Sequence, residues 1–156
     1  MVKTIDELYN YIKLIVEKAN DLKNKYTKEF DAKVNYACIF CKNDIEYNYY
    51  IQLLKEDNNI ILEETYSGPL FRIKDLNTVS GILKLVKIRK YDKEHNELGD
   101  ADFTVNNYNE FKNNCLNKKE FNIISRENYE MIELMDIKGD VRVYFSNPPI
   151  DIELGI

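Results

Sequence analysis

Arg72, Lys87, Arg89 and Arg142 each sit inside an apolar run with strand character. A cation there is costly unless it is paired or faces water, because burial forfeits its hydration. On the concave face of a curled sheet such residues would line a cavity suited to an anion. The planar fork of Arg meets carboxylate or phosphate oxygens in pairs and keeps its charge. Tyr36 and Tyr144 would add phenolic hydroxyls. The candidate ligand-binding set is therefore Tyr36, Arg72, Arg89, Asp102, Arg142 and Tyr144, with Asp102 expected to brace one arginine. The competing reading sends some of these cations to solvent on edge strands.

Asp100 and Asp102 share a strand face, since side chains alternate with a period of two. Two close carboxylates raise one another's pKa and serve acid–base chemistry, or hold a hard cation. With Glu133 and water they would form an oxygen-only set for Mg, Mn or Ca. In the other reading Gly99-Asp100 is turn chemistry and Asp102 pairs with Arg89 or Arg142. Glu130 and Glu133 fall on opposite faces, so at most one enters a cavity. Cys38-Ile39-Phe40-Cys41 matches C-x-x-C but lies in a strand, where a spacing of three parts the two sulfurs. Core packing is the expected role of both. The single histidine, His95, falls in a polar loop, which nearly excludes a His-dependent triad or proton shuttle. No P-loop, dinucleotide fingerprint, nucleophile elbow or metalloprotease motif is present.

The elements that must position these residues read clearly. Thr4-Ile5-Asp6-Glu7 is a capping-box start. Ile5, Leu8, Ile12, Ile15, Ala19, Leu22 and Tyr26 follow at spacings of three and four, one stripe of a helix over Ile5–Lys25. That stripe packs on the domain or, since it is also heptad-like, pairs with a second copy. Strands are expected at Val34–Phe40, Ile60–Thr65, Leu70–Lys74 and Ile82–Lys90, with a helix from Asn43 to about Asp57. Ala101–Val105, a helix with Tyr108, Phe111 and Cys115, then Phe121–Ser125, Tyr129–Met135 and Val141–Ser146 repeat that order. Asn147-Pro148-Pro149 stops the last strand and an irregular tail follows. The expected fold is α+β, with two tandem βαβββ modules forming a curved, half-open mixed sheet behind an extra N-terminal helix. One domain spans 1–156: helix 1–30, modules 34–90 and 100–146, tail 147–156.

At 156 residues, 44% of them hydrophobic, the chain suits one core rather than disorder. A net charge of −5 argues against a general nucleic-acid binder, which needs a basic surface. Met1-Val2-Lys3 leads into an amphipathic segment rather than an apolar run, so neither a signal peptide nor a membrane span is expected. Three cysteines, an odd number, fit a reducing cytoplasm.

The tandem pattern resembles the vicinal-oxygen-chelate superfamily of glyoxalases, extradiol dioxygenases and bleomycin-resistance proteins. The helix beginning Thr4-Ile5-Asp6-Glu7-Leu8 is similar to that of YecM-like proteins. Asn35–Cys41, Gly68–Ile73 and Gly99–Val105 carry the remaining likeness. The resemblance implies a divalent metal held by His and Glu. Those positions fall on Tyr36, near Arg89, near Ala101 with Asp100 and Asp102 beside it, and near Tyr144. Zn, Fe or Ni would need imidazole or thiolate there. The expectation is thus a small-molecule binder for an anionic ligand, without cofactor, as monomer or homodimer. The alternatives are a lyase, isomerase or dioxygenase-like enzyme with an oxygen-ligand metal, and a protein-interaction or dimerisation module.

Overall fold

The computed structural model describes residues 2–156; Met1, where the leader reading begins, lies outside the described residues. Helix α1 spans Ile5–Tyr26. The Thr4 hydroxyl accepts from the Glu7 N–H at 3.2 Å, and the Glu7 carboxylate accepts from the Lys3 N–H at 2.7 Å. Asn43 and Asn107 cap the next two helices in the same way, accepting from Glu46 and Glu110 N–H. Those helices are α2 (Asp44–Glu56) and α3 (Tyr108–Cys115).

The strands are β1 (Lys33–Phe40), β2 (Ile60–Thr65), β3 (Gly68–Thr78), β4 (Gly81–Arg89), β5 (Gly99–Thr104), β6 (Phe121–Ser125), β7 (Glu130–Leu134) and β8 (Val141–Asn147). All eight join one mixed sheet in the order β2-β3-β4-β1-β5-β8-β7-β6. β1 runs parallel to β4 and antiparallel to β5, and β5 runs parallel to β8. β3 outruns the expected Leu70–Lys74 because its pairing with β4 resumes beyond an irregularity, from Leu76↔Leu83 to Thr78↔Gly81. The tail is also not irregular throughout: Ile150–Glu153 form a short helix, α4, after Pro149.

The sheet has two unlike faces. On one, Ala37, Ile39, Val86, Ile88, Ala101, Phe103, Val143 and Phe145 form a continuous core. Leu8, Ile12, Ile15, Val16 and Ala19 of α1 are fully buried against it, over β1, β5 and β8. Phe111 of α3 packs on Phe145, ring centroids 4.5 Å apart. The apolar stripe of α1 is therefore spent on its own sheet, as the packing alternative anticipates. The other face carries the polar alternates. Glu63 and Thr65 of edge strand β2 and Ile124 of edge strand β6 line one shared cavity there. Seven inter-strand gaps of about 4.8 Å would hold those edges about 34 Å apart in a flat sheet. The sheet thus curls around the cavity, yet β2 and β6 do not pair, so it is not closed into a barrel.

Gly99 permits the central seam. A Cβ built there would lie 2.1 Å from the Cys38 carbonyl oxygen and 3.0 Å from Ile15 Cδ1. Gly99→Ala is expected to lower stability by pushing β1 from β5. Ile12→Asp or Ile15→Asp should cost more, at least about 3 kcal/mol, from lost burial and an unpaired buried charge. Urea unfolding checks both. An unchanged midpoint together with a split dimer would instead assign the α1 stripe to an interface between copies.

Candidate functional site

Strand register sets two rows of side chains across the concave face. Leu70, Lys87, Cys38, Asp100 and Arg142 form the first, on β3, β4, β1, β5 and β8. Tyr36, Asp102, Tyr144 and Glu133 form the second, on β1, β5, β8 and β7. All of these except the buried Cys38 line a cavity of about 610 Å³, within the usual span for small-molecule sites. His95 from the β4–β5 loop lines it on one side, and Pro148, Ile150 and Leu154 around α4 on another.

Asp102 is only 1% exposed and both its oxygens accept hydrogen bonds. The β1–β5 register slips between Val34 and Tyr36, leaving Asn35 as an extra residue. Such a bulge re-aims a side chain: the Asn35 amide donates to Asp102 Oδ1 at 3.0 Å and to Thr104 Oγ1 at 2.9 Å. The Ser146 N–H donates to Asp102 Oδ1 at 3.2 Å and its hydroxyl donates to Oδ2. The expectation that Asp102 braces an arginine is therefore corrected. Burial pushes its carboxyl up to about 6, against the Ser146 and Asn35 hydrogen bonds.

The arginines find their partners in the loop instead. Arg142 grips Glu97 with Nε and Nη2, the latter at 3.1 Å, and donates to the Glu94 carbonyl. Glu133 lies 3.7 Å from its Nη1 and accepts from the Tyr144 hydroxyl at 2.7 Å. Arg89 Nη2 meets Asp92 at 3.3 Å. Arg72 departs from the candidate set. It shares the face of Leu70, but its guanidinium turns to the Ile73 carbonyl and Asp75, outside the cavity lining. The remaining five, Tyr36, Arg89, Asp102, Arg142 and Tyr144, all line the cavity.

His95 lies in the β4–β5 loop, where the sequence puts it, and stands edge-on to Phe40, centroids 5.0 Å apart, with Nδ1 3.0 Å from Asp92. Burial, then Arg89 and Arg142, lower its pKa, so the neutral ring is favoured.

Three buried side-chain polar atoms lack a partner among the described residues: Asn35 Oδ1, Arg89 Nε and Asp100 Oδ1. The last two belong to cavity-lining residues. Asp100 is 7% exposed. Burial, then the charge of Asp102, push its carboxyl up to about 8, so at neutral pH it is mostly the protonated acid, a donor. Lys87, beside Arg89 on the same face of β4, makes no hydrogen bond or ion pair among the described residues. Burial lowers its pKa, and Arg89 adds to the effect. Lys87, Asn35, Glu97 and Ser146 were not in the candidate set. Lys87 was legible, since it alternates in phase with Leu85 and Arg89. The other three depend on a bulge, a loop path and a strand register.

No group of three or more His, Cys, Asp or Glu converges among the described residues. Asp100, Asp102 and Glu133 thus form no donor cluster: Asp102 is held by Asn35 and Ser146, and Glu133 by Tyr144 and Arg142. Cys38 and Cys41 are free and buried, and burial raises both thiols, Cys41 to about 12.

No family model matches the chain, and no curated protein matches it. Among solved structures, a structural-genomics protein named EC4020 superposes with a TM-score of 0.71 at 10% identity, over 96% of this chain and 89% of that one. The two share a fold over nearly their full lengths. A glyoxalase/bleomycin resistance protein/dioxygenase superfamily member from Vibrio splendidus 12B01 aligns with a TM-score of 0.44 at 8% identity, over 74% of this chain and 97% of that one.

The raised carboxyls set a pH dependence. A folded pKa above the unfolded value of about 3.9 means that the group's stabilising contribution is complete below about 3.9. It is lost as pH rises to the folded value of about 8 for Asp100. Asp100→Asn removes the titration, so its stability relative to wild type should climb from pH 4 to 8 and then level off. A difference independent of pH, by chemical denaturation, contradicts a buried neutral Asp100.

Proposed function

We propose that this chain binds a small anionic molecule in the concave cavity, on a glyoxalase-like scaffold of two βαβββ units. The strand order supports the tandem reading: β2-β3-β4-β1 is followed by its mirror, β5-β8-β7-β6. Each set of four comes from one half of the chain, and the two first strands meet antiparallel at the centre. The three free, buried cysteines favour a reducing, cytoplasmic setting.

One observation carries the ligand reading: the cavity holds donors that the protein leaves unused. Arg89 Nε is buried and unpartnered. Lys87 has no partner among the described residues, and Asp100 is neutral enough to donate. A buried donor without an acceptor costs about 1–3 kcal/mol, which an incoming carboxylate or phosphate would recover. Arg142 is already matched by Glu97 and Glu133, so its part is to fix the loop wall rather than to supply a free charge. The overall charge of −5 favours a small anion over a polyanion, since the cations are enclosed rather than spread over a surface.

A thermal-shift screen of small carboxylates and phosphates tests this. Ligand at a hundred times its Kd stabilises by about 2.7 kcal/mol, and each kcal/mol moves the Tm by roughly 2–4 °C at this size. Lys87→Met and Arg89→Met should each abolish the shift while leaving the fold intact. A hit that binds both variants as well as wild type places the anion elsewhere.

A further inference from the structure

Resting on that reading, we propose that Lys87 is a nucleophile that forms a reversible imine with a small oxo acid, an anion carrying an aldehyde or ketone carbonyl. A lysine serves this way when its amine is partly desolvated, close to another cation and not tied up by a carboxylate. Lys87 meets all three conditions. It is half-buried on the cavity floor, between Leu70 and Cys38 in its row and two residues from Leu85 on its own strand. Arg89 lies two residues further along the same face. No carboxylate forms an ion pair with it among the described residues, although β2 brings Glu63 into the same lining. Burial and Arg89 both favour the free amine, against the opposing pull of Cys38, Asp100 and Glu63.

Asp100 completes the chemistry. Cys38 pairs with Lys87 on one side and Asp100 on the other, so the amine and the acid, both of cavity-lining residues, flank the same position of β1. Asp100 lines the same cavity, and its buried Oδ1 has no partner among the described residues. The Lys87 nitrogen lone pair forms a bond to the carbonyl carbon as the carbonyl π pair moves to oxygen. That oxygen takes one proton from the amine and one from Asp100, and leaves as water. The products are a protonated imine and the Asp100 carboxylate, whose charges offset each other across the floor. No oxidant or reductant takes part. The carboxylate of the same oxo acid would take the buried Arg89 Nε–H.

Reductive trapping tests the proposal on the intact chain. The protein is treated with glyoxylate and cyanoborohydride at pH 7, with and without oxalate, and the adducts are located by peptide mapping. Thermal shift with oxalate alone, which forms no imine, reports the anion site separately. The expected result is a saturable adduct at Lys87, suppressed by oxalate and lost in Lys87→Arg. Its yield should exceed that at Lys119, whose side chain is 93% exposed. An adduct at Lys87 no greater than at Lys119, with oxalate still raising the Tm, overturns the imine and leaves anion binding standing. No adduct at Lys87 and no oxalate shift overturn both.

Discussion

The pairing of β1 with β5 is the constraint on which the rest of the molecule depends. It sets Cys38 opposite Asp100 and Tyr36 opposite Asp102, and so decides that two carboxylates point to the concave face while Ala101 and Phe103 enter the core. A slip of one residue would reverse both assignments and drive two acids beneath α1. Gly99 allows the close approach and the Asn35 bulge adjusts it. Ile15, buried under Gly99, ties the seam to the helix that covers the other face. Seam, helix and cavity floor are thus one mechanical unit.

Within that unit the charges are allotted unevenly. Glu97 and Glu133 neutralise Arg142, and in doing so hold the loop that carries His95 against the cavity. Lys42 strengthens the same wall by donating to the Asn96 and Glu97 carbonyls. Asn35 and Ser146 absorb Asp102. What is left over is Lys87, the Nε edge of Arg89 and a largely protonated Asp100, all donors on cavity-lining residues. A protein built only for stability would not leave such groups without acceptors, because each unpaired buried polar atom weakens the fold.

Much of this was legible in the residues. The α1 stripe, the Thr4 and Asn caps and the alternation in β4 and β5 follow from local periodicity, so the elements appear where the pattern puts them. Five of the six candidate binding residues reach the cavity for the same reason: strand parity assigns a face. Parity says nothing of what lies beyond a strand. Arg72 has the right face, but Asp75 on its own strand draws its guanidinium out of the lining. His95 and Glu97 reach the site through a loop path no periodicity encodes, and α4 forms only where the chain turns back after Pro149. Asp102 was assigned the wrong partner because the bulge that delivers Asn35 appears only in the register.

The most direct test of the central claim is a crystal structure grown at pH 7 with malonate, a small dianion. The account predicts malonate on the concave face, one carboxylate oxygen on Lys87 Nζ and another on Arg89 Nε, with Asp100 Oδ1 within hydrogen-bond distance of the ligand. Malonate bound only on the outer surface, with Lys87 turned to a carboxylate of the protein itself, would contradict it.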